Sequence, residues 1–274
     1  MIIDGKKIAE IIKDEIRDKV ARLEKKPKLA VVLVGGDPAS QVYVSGKKRA
    51  CEYTGILSES HELPENTSTE ELLALIDRLN GDEGVTGILV QLPLPAHIST
   101  ETVLYRISRD KDVDCFHPYN AGLLSIGKPR FSPCTPAGVI ELLKRYNIPI
   151  EGKNCVVIGR SNIVGKPMGT LLLAQNGTVT TAHSRTRDLA EISARADILV
   201  ATIGKPKFVT AEFVKEGAVV IDVGIHRLDG KKLCGDVDFD AVAEKTAYIT
   251  PVPGGVGPMT IAMLMQNCLN GVIL

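Results

Sequence analysis

Uninterrupted apolar runs alternate with amphipathic stretches along most of this chain. Residues 29–34, 84–91, 153–158, 196–202 and 218–223 each carry a block of Val, Ile, Leu and Ala. A run without polar alternation is the mark of a parallel strand covered on both faces. Between the runs lie helical patterns. Ile8, Ile11, Ile12, Ile16, Val20 and Leu23 fall on one stripe of a first helix. Further helices are predicted over 39–53, 69–79, 137–146, 168–175, 188–194 and 259–269, with shorter strands at 178–183 and 247–250. Asn80-Gly81 and Asn176-Gly177 stop two of the helices, since Gly and Asn accept the left-handed backbone found past a helix end. This alternation predicts an α/β fold built on doubly wound parallel sheet. There is no internal repeat and no low-complexity tract.

Length divides the picture in two. At about 100–200 residues per domain, 274 residues suggest two domains, and Phe131-Ser132-Pro133-Cys134-Thr135-Pro136 is a candidate junction. The 33 basic and 33 acidic side chains cancel, which gives no sign of a polyanionic partner such as nucleic acid or an acidic membrane surface. Six cysteines form no C-x-x-C pair, which argues against a zinc ribbon or a thioredoxin site, and Cys155 reads as a small core hydrophobe. The N-terminus leads straight into the first helix rather than into a signal peptide, and no apolar stretch is long enough to span a bilayer. A soluble, cytoplasmic protein with reduced thiols is expected.

The strongest chemical signal is the turn after the strand at 153–158. Gly159 and Gly165 bracket it, and Pro167 opens the helical pattern behind it. Strand, glycine turn and helix start together predict a phosphate cradle of free backbone N–H groups. The usual fingerprint is G-x-G-x-x-G, and here Ser161 holds the place of the second glycine. On the glycines alone an ordinary strand–helix turn reads equally well. The next strand adds weight: where an NAD enzyme carries an acidic residue for the ribose, this chain runs into Ser184-Arg185-Thr186-Arg187. Ser184, Arg185 and Arg160 could bind a 2′-phosphate that a carboxylate would repel, so NADP is preferred over NAD.

Other candidates are weaker taken singly. Tyr43 and Lys47 are four apart on a predicted helix and share a face, as a catalytic pair or as a surface contact. Gln91 is polar at the end of an apolar strand, where a ligand crevice or plain solvent could receive it. The loop 110–120 holds Asp110, Asp112 and Asp114, but lacks the ligand count and glycine of a calcium loop. A single carboxylate binding an amino-substituted heterocycle suits it better, no metal is expected, and His117 before Pro118 reads as structural. The glycine-rich loop 251–258 could let backbone approach a flat ligand, or simply be a stiff connection.

Together these pieces resemble the bifunctional methylenetetrahydrofolate dehydrogenase/methenyltetrahydrofolate cyclohydrolase family over the whole chain. The resemblance rests on Asp37-Pro38-Ala39-Ser40 with Tyr43 and Lys47, on residues 87–95, on Lys111-Asp112-Val113-Asp114, on Pro133-Cys134-Thr135-Pro136, on Gly159-Arg160-Ser161 and on residues 251–260. Cys115 stands where the family usually has glycine, while Ser161 is the family's own pattern. The resemblance implies an N-terminal α/β catalytic domain, residues 1–136, completed by the C-terminal helix at 256–274. It implies a Rossmann-type NADP-binding domain at 137–255 and a cleft between the two. It makes Lys47 the catalytic lysine, Tyr43 its aromatic partner over the folate, Gln91 a contact of the lysine and Asp114 the holder of the pterin. Val90, Leu92, Pro253, Gly254 and Gly255 would line the folate slot. Gly159, Arg160, Ser161, Gly165, Ser184 and Arg185 would bind the phosphates, with Thr135, Ile225 and Thr260 near the nicotinamide. It further implies a homodimer acting in one-carbon metabolism and purine biosynthesis. The hydrolytic step would use Lys47 as its basic side chain. Rival readings are another NADP oxidoreductase on the same fold, a relative that has lost one activity, and a non-catalytic NADP-binding protein.

Overall fold

A computed structural model describes residues 1–228 and 232–273. The elements run α1 (Gly5–Ala21), β1 (Lys28–Val34), α2 (Pro38–Thr54), β2 (Leu57–Leu63), α3 (Thr69–Gly81), β3 (Gly87–Val90), α4 (Thr100–Arg106) and α5 (Pro118–Ser125). Then follow α6 (Cys134–Arg145), β4 (Asn154–Ile158), α7 (Gly165–Ala174), β5 (Thr178–Ala182), α8 (Leu189–Ser193), β6 (Ile198–Ala201) and β7 (Val219–Asp222). The short hairpin β8 (His226–Arg227) and β9 (Leu233–Cys234), α9 (Phe239–Val242), β10 (Tyr248–Ile249) and α10 (Val256–Ile273) complete the chain. Leu274, the last residue of the stretch expected to complete the catalytic domain, lies outside the described residues. The chain forms two compact units, one of residues 11–132 with 261–274 and the other of residues 1–10 with 133–260.

The first unit is built on a three-stranded parallel sheet in the order β2-β1-β3. Six of the seven residues of β1 are buried, as its unbroken apolar run predicts. Val32, Ile88 and Val90 pack with Leu72, Ile76 and Leu79 of α3 in one core. Helix α3 starts with a capping box between Ser68 and Glu71. At its other end the Lys111 amine donates to the carbonyls of Leu79, Asn80 and Asp82 at 2.9, 2.8 and 2.7 Å. A cation there completes carbonyls that the helix leaves orphaned. The same lysine thereby fixes the start of the loop that carries Asp114.

The second unit holds a five-stranded parallel sheet in the order β10-β7-β6-β4-β5. Its first strand, β4, lies inside the sheet, so successive strands are added to opposite sides of it. The order reverses beside β4, and ligands bind outside the carboxyl ends of strands at such a switch point. The glycine turn predicted to bind phosphate follows the carboxyl end of β4. Residues 1–10 pack here although they open the chain. The Ile3 N–H donates to the Ile249 carbonyl at 2.8 Å, and the Lys6 N–H to the Gly254 carbonyl at 2.9 Å. A side chain at Gly5 would collide with the Gly255 carbonyl, so the terminal segment lies flat against the 251–255 loop.

Several elements differ from expectation. α7 begins at Gly165, two residues ahead of Pro167; α10 begins at Val256, ahead of the apolar pattern at 259 but where the resemblance put the C-terminal helix. β2, α4, α5, α9 and the β8–β9 hairpin have no counterpart in the apolar pattern. All six cysteines are buried; burial pushes the Cys51 thiol up to about 12 and Cys155 up to about 11. Among the described residues no helix is long and apolar enough to cross a membrane. Nor is any group of three His, Cys, Asp or Glu side chains there placed to hold a metal.

Candidate active site

Each unit carries its own share of the candidate residues. In the first, Asp37 caps α2, its carboxylate accepting from the Ser40 N–H and hydroxyl at 2.8 Å each, with Pro38 in the first turn. That cap sets the start of the helix that presents Tyr43 and Lys47. Tyr43 is 39% exposed, available to lie against a flat ligand, and the part of it that is buried raises its pKa. The Lys47 Nζ donates to Gln91 Oε1 at 2.9 Å. The other end of the Gln91 amide donates to the Leu92 carbonyl at 2.6 Å. That bond orients the amide so that its oxygen, an acceptor, faces the lysine. Gln91 is itself held by its backbone N–H, which donates to the Val32 carbonyl at 2.8 Å. The helical position of Lys47 and the strand-end position of Gln91 thus converge on one contact.

Asp114 is half-buried and sits in a loop with more scaffolding than the sequence suggested. The buried Asp112 carboxylate accepts from the N–H groups of Phe116 and His117 and from the Asn120 amide, at 3.1, 2.8 and 2.8 Å. Burial raises its pKa against those three donors. His117 is structural, as expected, its Nδ1 accepting from the Tyr119 N–H at the start of α5. Cys115 adopts φ 61, the left-handed conformation that a glycine would take without cost, and its thiol donates to the Phe131 carbonyl at 3.2 Å. The loop therefore keeps a glycine-like path although a cysteine occupies it. Asn267 of α10, 4% exposed, closes the loop from behind by donating to the Val113 and Ser132 carbonyls at 2.7 and 2.8 Å. Val90 packs its side chain into the core with Val32 and Ile88.

In the second unit the turn after β4 needs its glycines. Gly159 has φ 138, and a Cβ there would collide with the Thr202 carbonyl; one at Gly165 would collide with the Gly159 carbonyl. Ser161 alters the expected cradle. Its hydroxyl oxygen accepts from the N–H groups of Val164 and Gly165, both at 3.2 Å, and its carbonyl from Lys166 at 3.0 Å. The serine in the second-glycine position thus takes up two donors just at the start of α7, which are engaged rather than free. Arg160 and Ser161 are exposed on the outside of the turn. Ser184 and Arg185 are exposed in the turn after β5. His183 and Thr186 shape that turn: the Arg185 N–H donates to His183 Nδ1 at 3.2 Å, and the His183 N–H to the Thr186 hydroxyl at 2.9 Å. Glycine-enforced backbone, exposed arginines and a missing carboxylate fit a dinucleotide bearing a 2′-phosphate.

Further assignments meet within this unit. Ile225, Pro253, Gly254 and Gly255 line one cavity of about 130 Å³, together with Asp222, Val223 and Gly224. Residues assigned separately to folate and to nicotinamide thus share a wall. The Thr135 and Thr260 hydroxyls lie 2.9 Å apart. Sequence reasoning missed the framework behind that cavity, the buried Asp222 and Asp236 with His226. The only sign of it in the chain is an aspartate at the end of an apolar strand.

Two family models match the chain. The tetrahydrofolate dehydrogenase/cyclohydrolase catalytic domain matches residues 3–114, and the NAD(P)-binding domain of the same name matches residues 133–273. The bifunctional protein FolD of Lachnoclostridium phytofermentans is 62% identical over 274 residues, 99% of this chain and 97% of that protein. The crystal structure of the FolD methylenetetrahydrofolate dehydrogenase/cyclohydrolase of Campylobacter jejuni superposes with a TM-score of 0.97 at 50% identity, covering 99% of this chain and 98% of that one. The FolD of Trypanosoma brucei, solved with NADP and an inhibitor, gives a TM-score of 0.94 at 42% identity, covering 99% and 96%.

Proposed function

This chain belongs to the tetrahydrofolate dehydrogenase/cyclohydrolase family, and from that premise we propose that it performs two consecutive steps on one folate. The first is NADP-dependent oxidation of methylenetetrahydrofolate to methenyltetrahydrofolate. The second is hydrolysis of that cation to 10-formyltetrahydrofolate. The observation that carries the reading is the Lys47 amine held 2.9 Å from an oriented Gln91 oxygen.

In the first step the carbon bridging two folate nitrogens loses hydride, and the nitrogen lone pairs stabilise the cation left behind. NADP, when bound, supplies the hydride acceptor. The protein's task is alignment, which can account for much of a barrier when two reactants must meet. Asp114 would hold the pterin amino group and ring nitrogen, Tyr43 would lie on the flat ring, and Val90 and Leu92 would border it. In the second step water adds to the cationic carbon, the ring opens, and one proton is released. Lys47 would move that proton, with Gln91 aiming its amine. Arg160, Ser161, Ser184 and Arg185 would receive the phosphates on a turn whose close packing Gly159 and Gly165 allow, with Thr135, Ile225 and Thr260 at the nicotinamide end. Folate would be handled by the unit of residues 11–132 with 261–274, and the dinucleotide by the other, which refines the expected division at 136 and 256.

The family membership and both matched domains support this reading over another NADP oxidoreductase or a non-catalytic NADP-binding protein. We also propose a cytoplasmic homodimer that supplies formyl groups for purine biosynthesis, supported by the family's usual assembly and tested by light scattering. The deciding assay offers methylenetetrahydrofolate with NADP or NAD and measures reduced cofactor and methenyl product, before and after acid closes the formyl compound. Reduced NADP should exceed methenyl product before acid and equal it after. No reduction would reject the dehydrogenase, equality before acid would reject the hydrolytic step, and faster turnover with NAD would reject the cofactor preference.

A further inference from the structure

The loops at the carboxyl ends of β6 and β7 are bound together by two buried carboxylates. Asp236 is fully buried, and its oxygens accept from four donors. Three are consecutive backbone N–H groups after β6: Ile203 at 2.5 Å, Gly204 at 3.0 Å and Lys205 at 3.0 Å. The fourth is Nε2 of His226, at 2.7 Å. Asp222, 3% exposed, accepts from the N–H groups of Gly224, Asp236 and Val237, each at 2.9 Å, while its own N–H donates to the Thr250 hydroxyl at 2.7 Å. There is no room to spare: a Cβ at Gly224 would collide with the Asp236 carboxylate, and one at Gly235 with that of Asp222. Between these anchors run residues 222–225, which form one wall of the cavity shared with residues 251–258.

We infer that His226 and Asp236 are positioning residues for hydride transfer, fixing the backbone of residues 223–225 without touching the reacting atoms. The ring of His226 closes the chain of contacts. It leaves the Ile225 end of the loop and returns to the carboxylate that holds the loop after β6, so the wall at Ile225 is tied at both ends. His226 is only partly buried, with 21% of its side chain exposed, so its loss does not empty the core. This inference rests on the folate reading above. It separates the two activities, because the hydrolytic machinery centred on Lys47 and Gln91 shares no residue with this network.

His226→Leu removes the ring donor, and His226→Gln restores an N–H at similar reach. In the intact protein, NADP-dependent oxidation and NADP-free hydrolysis of methenyltetrahydrofolate are measured side by side. For His226→Leu the dehydrogenase kcat should fall about tenfold, short of the about hundredfold that a full ångström of misplacement can cost. The KM for NADP should change less than about threefold and hydrolysis less than about twofold, since on that reading the loop would border only one end of the cofactor. His226→Gln should recover most of the kcat. An unchanged dehydrogenase, an equal fall in both activities, or a Gln variant no better than Leu would overturn the inference. An unaltered chain lacking dehydrogenase activity would instead sink the reading on which it rests.

Discussion

Replacing Asn267 by Leu tests whether the loop carrying Asp114 is held from α10. The two side chains have the same heavy-atom count and branching, although a methyl group needs more room than an amide group, so some crowding adds to the loss. The main change is in polarity. The Asn267 amide donates to the Val113 carbonyl at 2.7 Å and to the Ser132 carbonyl at 2.8 Å, and its oxygen accepts from the Ser132 N–H at 3.4 Å. A hydrogen bond of this kind contributes about 0.5–1.5 kcal/mol. Three are lost with the Asn267 amide, around a fully buried Val113 and a half-buried Ser132. The sum is about 3 kcal/mol. At about 2–4 °C per kcal/mol for a protein of this size class, the melting temperature should drop by roughly 6–12 °C. Val113 precedes Asp114, so the KM for folate should rise while NADPH affinity holds. Calorimetry and initial rates on the same preparation read both effects. A melting temperature lowered by less than about 2 °C, or an unaltered folate KM, would show that α10 does not hold this loop.

Further outcomes follow from the site. Lys47→Met should abolish hydrolysis of methenyltetrahydrofolate while NADPH affinity stays within about twofold; residual turnover near that of the unaltered protein would remove Lys47 from the mechanism. Burial pushes the Asp222 carboxyl up to about 6 despite its three N–H donors. Its folded pKa lies above the ordinary value, so its contribution to stability is present below about pH 4 and is lost as pH rises through 6, by about 3 kcal/mol. A carbon-13 carboxyl resonance titrating below pH 4 would contradict this. Cys115→Gly relieves a left-handed residue, a gain of roughly 1–2 kcal/mol, but loses a buried side chain, so stability should change by less than about 1 kcal/mol and the folate KM should hold. A fall of about 3 kcal/mol in chemical denaturation would mean that the thiol contact with Phe131 dominates.

What the chain reveals before folding depends on whether the cause is local. β1, β4, β6 and β7 were legible because each is buried on both faces, and burial of that kind leaves an unbroken apolar run. β2 was not, because it lies at the sheet edge: Leu57-Ser58-Glu59-Ser60-His61-Glu62-Leu63 is mostly polar, and what makes it a strand is pairing with β1 along its whole length. The first ten residues carry a helical stripe, but nothing in it says that Ile3 will pair with Ile249, more than two hundred positions away. The candidate site divides in the same way. Tyr43 and Lys47 share a face by helical arithmetic, while the 2.9 Å contact of Lys47 with Gln91 joins two elements that only the sheet brings together. At Ser161 the departure from the glycine fingerprint is visible in the sequence but its effect is not: the hydroxyl engages two of the donors the cradle was expected to offer. Asp112, Asp222, Asp236 and Asn267 were illegible for one shared reason. Each is a buried polar group whose partners are mainly backbone N–H or C=O groups, and backbone has no sequence signature. A buried carboxylate must find donors somewhere. An aspartate at the end of an apolar run, such as Asp222, is therefore better read first as an anchor of the loop beyond it and only then as a ligand.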